Sequence, residues 1–313
     1  MQIELPRGVT VGHHTDLQAW TGCTIVLLPE GTVAAADVRG GGPGTRESEL
    51  LTPSANAAGI HAVLLTGGSA FGLGAADGVM AHLAERGIGY AIPGGPVPLV
   101  FAAVVYDLVL GDGSVRPDAA AAAAACEAAG TDVERGSVGV GTGCTVGKLR
   151  GAEAWTKGGF GAATLRVGDA TITALAAVNA FGDVLADDGS VAAGVWTGAG
   201  YARTTDLLLA GETPMRATMR QNTTLVCVVT DAQLDKREAW LVARAGSAGV
   251  ARAVAPSATA ADGDLVVCAA TGDVPADAFV LSAVTPEVIA AAIRDAVASA
   301  TGAPGCPAAS ERA

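Results

Sequence analysis

Apolar strands interleaved with helices, in a chain rich in small residues, predict a compact α/β globule. Three observations carry this expectation. Short apolar runs bounded by glycine or polar turns recur along the chain and have the length of buried strands. Longer segments between them show helical periodicity with recognisable stops. The composition is 50% hydrophobic but only 4% aromatic, with 43 glycines, so the core must be built from Ala, Val, Leu and Ile at close backbone approach. The 313 residues suffice for one large domain or two ordinary ones, and 14 prolines are too few for a collagen-like or disordered chain.

Residues 22–28 and 60–66 read as buried strands. "GGSAFGLGAADGVMAHLAERG", 67–87, is a glycine turn feeding an amphipathic helix that stops at Gly87. Pro117, Asp118 and the alanine run after them predict a second helix with proline in its first turn. "GAATLRVGDATITALAAVN", 161–179, is two apolar runs about a Gly168-Asp169 turn, which signals a hairpin. The segment 183–222 lacks strong periodicity and reads as an excursion or linker. Beyond it, Leu225–Val229 and Asp264–Ala270 are strands, and a helix runs from Asp235 to about Val254. A last helix, Pro286–Ala300, takes Thr285 as its cap and stops at Gly302, with Val288, Ile289, Ala292, Ile293 and Val297 forming one apolar stripe.

Charge narrows the partners. With 19 basic against 31 acidic residues the net charge is −12, and no basic stripe offers itself to nucleic acid or an anionic membrane. "MQIELPRGVTVGHHTD" has neither a basic nor an apolar leader region, so a cytoplasmic location is expected. The longest uncharged stretch, Ile88 to Tyr106, is interrupted by Pro93, Pro96 and Pro98 and does not suit a membrane span. Six scattered cysteines without CxxC spacing fit a reducing compartment and no zinc site.

Nucleotide and triad chemistry both fit poorly. "GVGTGCTVGK", 139–148, has Thr142 and Leu149 where a phosphate loop needs glycine and Ser/Thr, and Cys144 breaks a GxGxxG reading. The four histidines, His13, His14, His61 and His82, accompany no G-x-S-x-G, since Ser69 is followed by Ala70 and Phe71. "QNTTLVCVVT" remains, with two hydroxyls pressed against an apolar run. Asn222-Thr223-Thr224 can be a polar lead-in to a strand, a glycosylation sequon that needs a secretory route, or a reactive junction. In the last case Thr223 becomes a new N-terminus through a backbone N–O acyl shift. Its free amine, with a pKa of about 7.7–8.0, then serves as general base for its own hydroxyl. Such chemistry needs no metal or cofactor, but it needs a lysine, an oxyanion donor and carboxylates. Lys148, Asn179 and the pair Asp262 and Asp264 are available. Taken singly, each can equally be a solvated lysine, a turn asparagine or a D-G turn.

As a set, these residues resemble the self-processing L-aminopeptidase/D-amidase-esterase and β-aminopeptidase family, and within it the 6-aminohexanoate-oligomer endohydrolases. "AADVRGGGPGTRE", "LLTGGSAFGLGAADGV", "PLVFAAVVYDL", "TVGK", "VNAFGDV", "QNTTLVCVVT" and "DGDLVVCAAT" carry the likeness over nearly the whole chain. The resemblance implies an α+β fold, a four-layer α-β-β-α sandwich of the N-terminal-nucleophile-hydrolase type. It implies cleavage between Asn222 and Thr223 into fragments 1–222 and 223–313 of one hydrolase domain. Thr223 is then the nucleophile, Lys148 its amine-tuning lysine, Asn179 the oxyanion-side asparagine, Asp262 and Asp264 the acidic pair, and Tyr106 a pocket residue. It further implies an amide substrate with a small or linear acyl part, and a homo-oligomer of such heterodimers, dimeric or tetrameric. The aminopeptidase branch instead has serine after glycine and a Ser-x-Glu arrangement, so Thr223 and the acidic pair point to the oligomer hydrolases. An aminopeptidase or β-aminopeptidase, an acyltransferase of the ornithine acetyltransferase type, and an unprocessed structural or ligand-binding protein are the competing readings.

Overall fold

The computed structural model of the protein describes residues 3–214 and 222–312. Among these residues, two five-stranded sheets lie face to face with helices outside each, which is the α-β-β-α order the family resemblance implies. The first sheet comprises β1 (Thr10–Asp16), β2 (Thr21–Leu27), β4 (Thr45–Arg46), β5 (Ala62–Thr66) and β6 (Val100–Val104), in the order β1-β2-β5-β6-β4. The second comprises β3 (Val33–Val38), β7 (Gly159–Val167), β8 (Ala170–Asn179), β9 (Thr223–Ala232) and β10 (Leu265–Val274), in the order β3-β10-β9-β8-β7. Both sheets are mixed, with parallel pairs β5/β6 and β9/β10.

Three apolar layers hold the sandwich together. Val26, Val63, Leu65 and Phe101 of the first sheet meet Phe160, Leu175, Leu225 and Val267 of the second. On the outer face of the first sheet, Ile25 and Leu64 pack under α1 (Ala76–Glu85) and α2 (Ala119–Glu127). On the outer face of the second, Val226, Val228 and Val266 pack under α4 (Lys236–Ala253) and α5 (Ala278–Ala298). Every residue of β8 is buried, because a central strand in a four-layer fold has no wet face. Small residues set the layer spacing. A Cβ on Gly161 of β7 would lie 2.2 Å from the Ala292 carbonyl oxygen of α5.

Two expected helix starts are corrected. Asp118, not a first-turn proline, caps α2, its carboxylate accepting the Ala121 amide at 2.9 Å, and Pro117 lies before the cap. α5 starts two turns earlier than the sequence suggests. Asp277 caps it and Pro286 lies inside it, while the Thr285 hydroxyl donates to the Leu281 carbonyl. Burial of Leu281 and Val288 on one continuous stripe outweighs the proline. The 183–222 excursion contains short paired strands at 183–185, 191–193, 195–196 and 201–202, followed by α3 (Thr204–Leu209). Its end at 215–221 lies outside the described residues.

Candidate active site

Thr223 opens β9, with Asn179, the last residue of β8, as its antiparallel partner. Alternation along β9 turns Thr223 toward the inter-sheet side shared by Leu225 and Cys227, and Thr224 toward the helices with Val226. Both threonines are buried. The Thr223 hydroxyl donates to the carbonyl oxygen of Asn222, and that oxygen also accepts the Gly263 amide at 2.9 Å.

Lys148 reaches the same strand end from a tight turn. Gly147, at φ 70°, would clash with Gly194 if it carried a side chain, and Gly147 and Lys148 donate their amides to Gly182 and Phe181. The Lys148 ammonium nitrogen lies 2.8 Å from the Asn179 side-chain oxygen and 3.1 Å from its carbonyl. The side chain is fully buried, and this desolvation lowers its pKa to about 7, with Cys144 and Asp262 opposing the shift. Asn179 also accepts the Thr145 amide at 3.0 Å and donates its side-chain N–H to the Tyr106 carbonyl at 3.0 Å. Tyr106 lines a narrow cavity with Leu110, Gly143, Lys148 and Trp155.

The acidic pair organises backbone around the threonine. Asp262 accepts the Thr259 hydroxyl at 2.6 Å and the Thr259 amide at 3.0 Å, and it bridges Asn222 in parallel. Asp264 accepts the Thr224 amide at 2.6 Å and the Ala258 amide at 2.7 Å. In the continuous chain Asp264 therefore grips the residue after Thr223. Burial first, and the Asp262 charge second, raise the Asp264 pKa. A pocket of ≈ 320 Å³ beside Asp264 opens on the helix side, between Arg39, Arg244 and Ser247, and Thr223 is not part of its lining.

Sequence reasoning assembled Thr223, Lys148, Asn179, Asp262, Asp264 and Tyr106 as a set, and the structure brings them to one end of the second sheet. It missed the residues that act through backbone: Gly263, Thr145 and the run Gly40–Gly42. The glycine run packs against the acidic loop so closely that a Cβ on Gly40 would lie 2.2 Å from the Asp262 carbonyl oxygen. Three consecutive glycines were the available signal. Lys157 was also passed over. Its buried ammonium donates to the carbonyls of Gly141, Cys144 and Gly158 at 2.8–3.0 Å, fixing the loop that carries Thr145. His13, by contrast, is half-buried and packs edge-on against Phe160 of the inter-sheet core, and desolvation lowers its pKa to about 4.

A family model described as "Peptidase family S58" matches residues 6–307. The chain belongs to peptidase family S58. It is 39% identical, over 94% of its length and 90% of the relative's, to a protein of Mycobacterium tuberculosis named "uncharacterized aminopeptidase". It is 30% identical to the 6-aminohexanoate-oligomer endohydrolase of a Kocuria species, over 85% of this chain and 74% of that one. The solved L-aminopeptidase D-Ala-esterase/amidase of Ochrobactrum anthropi, described as a variant of the Ntn hydrolase fold, superposes with a TM-score of 0.72. That match covers 98% of this chain and 91% of the other at 18% identity, and it shows the fold alone. The S58 chain is thus an amide-bond hydrolase with the Ntn-type sandwich. Among the described residues, no helix is long and apolar enough to cross a membrane.

Proposed function

We propose that this S58 chain is a self-cleaving N-terminal-threonine amidohydrolase. The Thr223 hydroxyl attacks the Asn222 carbonyl, leaving fragments 1–222 and 223–313 of a single hydrolase domain. The freed amine then activates the same hydroxyl toward a substrate amide, and water resolves the acyl-enzyme. Lys148, its neutral form favoured by burial, keeps that amine deprotonated, Asn179 steadies the oxyanion, and Asp262 with Asp264 fixes the backbone on both sides of the nucleophile. The observation that carries this reading is the contact of the Thr223 hydroxyl with the Asn222 carbonyl at a buried strand end. An ordinary strand start has no reason to bury a lysine of lowered pKa beside it.

The substrate we assign is the amide of a small peptide or an ω-amino-acid oligomer of the 6-aminohexanoate kind. The Thr223 nucleophile, the acidic pair and the endohydrolase relative support it. Aminopeptidase action is the second reading, because identity is higher to the mycobacterial relative, 39% against 30%. A denaturing gel tests the cleavage: two pieces of about two-thirds and one-third of the chain are expected, and one intact band for Thr223→Ala. Processed or active Thr223→Ala would overturn the mechanism. Release of 6-aminohexanoate from its linear oligomers, set against amino-acid p-nitroanilide turnover, separates the two substrate classes.

A further inference from the structure

We propose that the backbone amide of Gly263 is an oxyanion donor for cleavage at Asn222–Thr223, and that glycine is required there because the threonine hydroxyl fills the space of a side chain. This inference rests on the self-cleavage reading and adds to it a group that sequence motifs do not reveal.

Two independent observations carry it. The Asn222 carbonyl oxygen, on which negative charge develops when the adjacent hydroxyl attacks, already accepts the Gly263 N–H at 2.9 Å. Oxyanion donors act by being in place before charge forms, at hydrogen-bond distance from the oxygen that will bear it. The second observation concerns space. Gly263 does not lie in the left-handed φ region, so turn geometry does not demand glycine. A Cβ there would stand 2.8 Å from the Thr223 Oγ1 atom and 3.1 Å from the Gly42 carbonyl oxygen. The residue is held from behind, since the Gly42 amide donates to the Asp262 carbonyl at 2.8 Å. Glycine is thus what lets a peptide N–H and a nucleophilic hydroxyl converge on one carbonyl.

The step balances within the chain. The Thr223 oxygen forms a bond to the Asn222 carbonyl carbon, and the carbonyl π pair moves to the oxygen facing Gly263. Collapse of the adduct breaks the bond from that carbon to the Thr223 nitrogen. The hydroxyl proton ends on that nitrogen, giving an amine and an ester. Water then hydrolyses the ester, leaving the Asn222 carboxylate and restoring the Thr223 hydroxyl.

The competing account is that this hydrogen bond is only the first rung of the parallel pairing that continues into β9 and β10. Cell-free translation with glycolic acid in place of Gly263 replaces the N–H by an ester oxygen and separates the two. At a temperature where both precursors are folded by circular dichroism, cleavage is expected to slow by about 100–1000-fold. Hydroxylamine, which intercepts the Asn222–Thr223 ester, should not restore it, because the missing donor acts before the ester forms. A folded glycolate variant that cleaves within about threefold of wild type overturns the proposal, as does one that hydroxylamine restores in full. G263A keeps the N–H but crowds the hydroxyl, and a folded but slowly cleaving G263A is expected. If G263A matches wild type, the spatial half of the proposal falls. An intact wild-type precursor would instead defeat the self-cleavage reading itself, a different result from any of these.

Discussion

Asn179 and Thr223 face each other as the terminal register pair of the β8/β9 ladder, so the asparagine is placed opposite the threonine by strand pairing and not by a loop. Its carboxamide is also the hub that joins Lys148, the Thr145 amide and the Tyr106 carbonyl. Asn179→Ala is therefore expected to act twice. Turnover should fall by about 100–1000-fold if the carboxamide serves the oxyanion. Stability should fall by about 1–3 kcal/mol because buried donors and acceptors lose their partner. Steady-state kinetics and urea melts of the same sample read both effects; unchanged turnover would remove Asn179 from the chemistry.

Lys148 predicts a pH dependence. Burial lowers its pKa to about 7, so the amine loses its proton as pH rises through neutrality. Self-cleavage should accelerate over that interval, and Lys148→Met should be slow and lack the inflection. If the inflection survives in Lys148→Met, the titrating group is another, with Asp264 the first candidate. The stability sign follows separately. The folded state binds fewer protons than the unfolded chain between about pH 7 and about pH 10.4, so Lys148 makes the fold more stable as pH rises across that range.

Asp183 holds the excursion that precedes β9. Its carboxylate accepts the Val195 amide at 3.2 Å and both the amide and hydroxyl of Thr204. Asp183→Ala leaves these donors without an acceptor and is expected to cost about 1–3 kcal/mol in a denaturation experiment. A loss below that range would mean the segment repacks around the gap.

The interface of α4 and α5 offers a paired test. At Gly249 a Cβ would lie 2.6 Å from the Pro286 carbonyl oxygen, which is backbone and cannot yield. At Gly246 the contact is 2.7 Å to the end of the Ile289 side chain, which can rotate. Gly249→Ala should destabilise by about 1–3 kcal/mol through overpacking. Gly246→Ala should be milder, since helix propensity returns up to about 1 kcal/mol. Equal melting temperatures for the two variants would contradict this reading of the contact.

The strands at 22–28, 60–66 and 225–229, the hairpin at 161–179 and the helix after Asp235 were legible because each is a local pattern of apolar runs, turns and caps. The last helix was misread at Pro286. Thr285-Pro286 is a local helix-start signal, and only the stripe that runs through it against the second sheet overrides it. The site divides the same way. Thr223, Lys148, Asn179, Asp262 and Asp264 could be named from side-chain chemistry and motif. Gly263 and Thr145 could not, since they contribute backbone amides whose partners are set by packing, and the Gly40–Gly42 run showed only as three consecutive glycines with no partner named.

The sequence by itself therefore determined the apolar inventory, the turn positions and which side chains could carry amide chemistry. Tertiary structure alone decided that Asn179 faces Thr223, that Lys148 is stripped of water, and that the Asn222 carbonyl meets both a hydroxyl and a peptide N–H. Apart from the adjacent Thr223 hydroxyl, such relations depend on strand register and burial between residues more than thirty positions apart. Those are properties of packing, and they exist only once the four layers have closed.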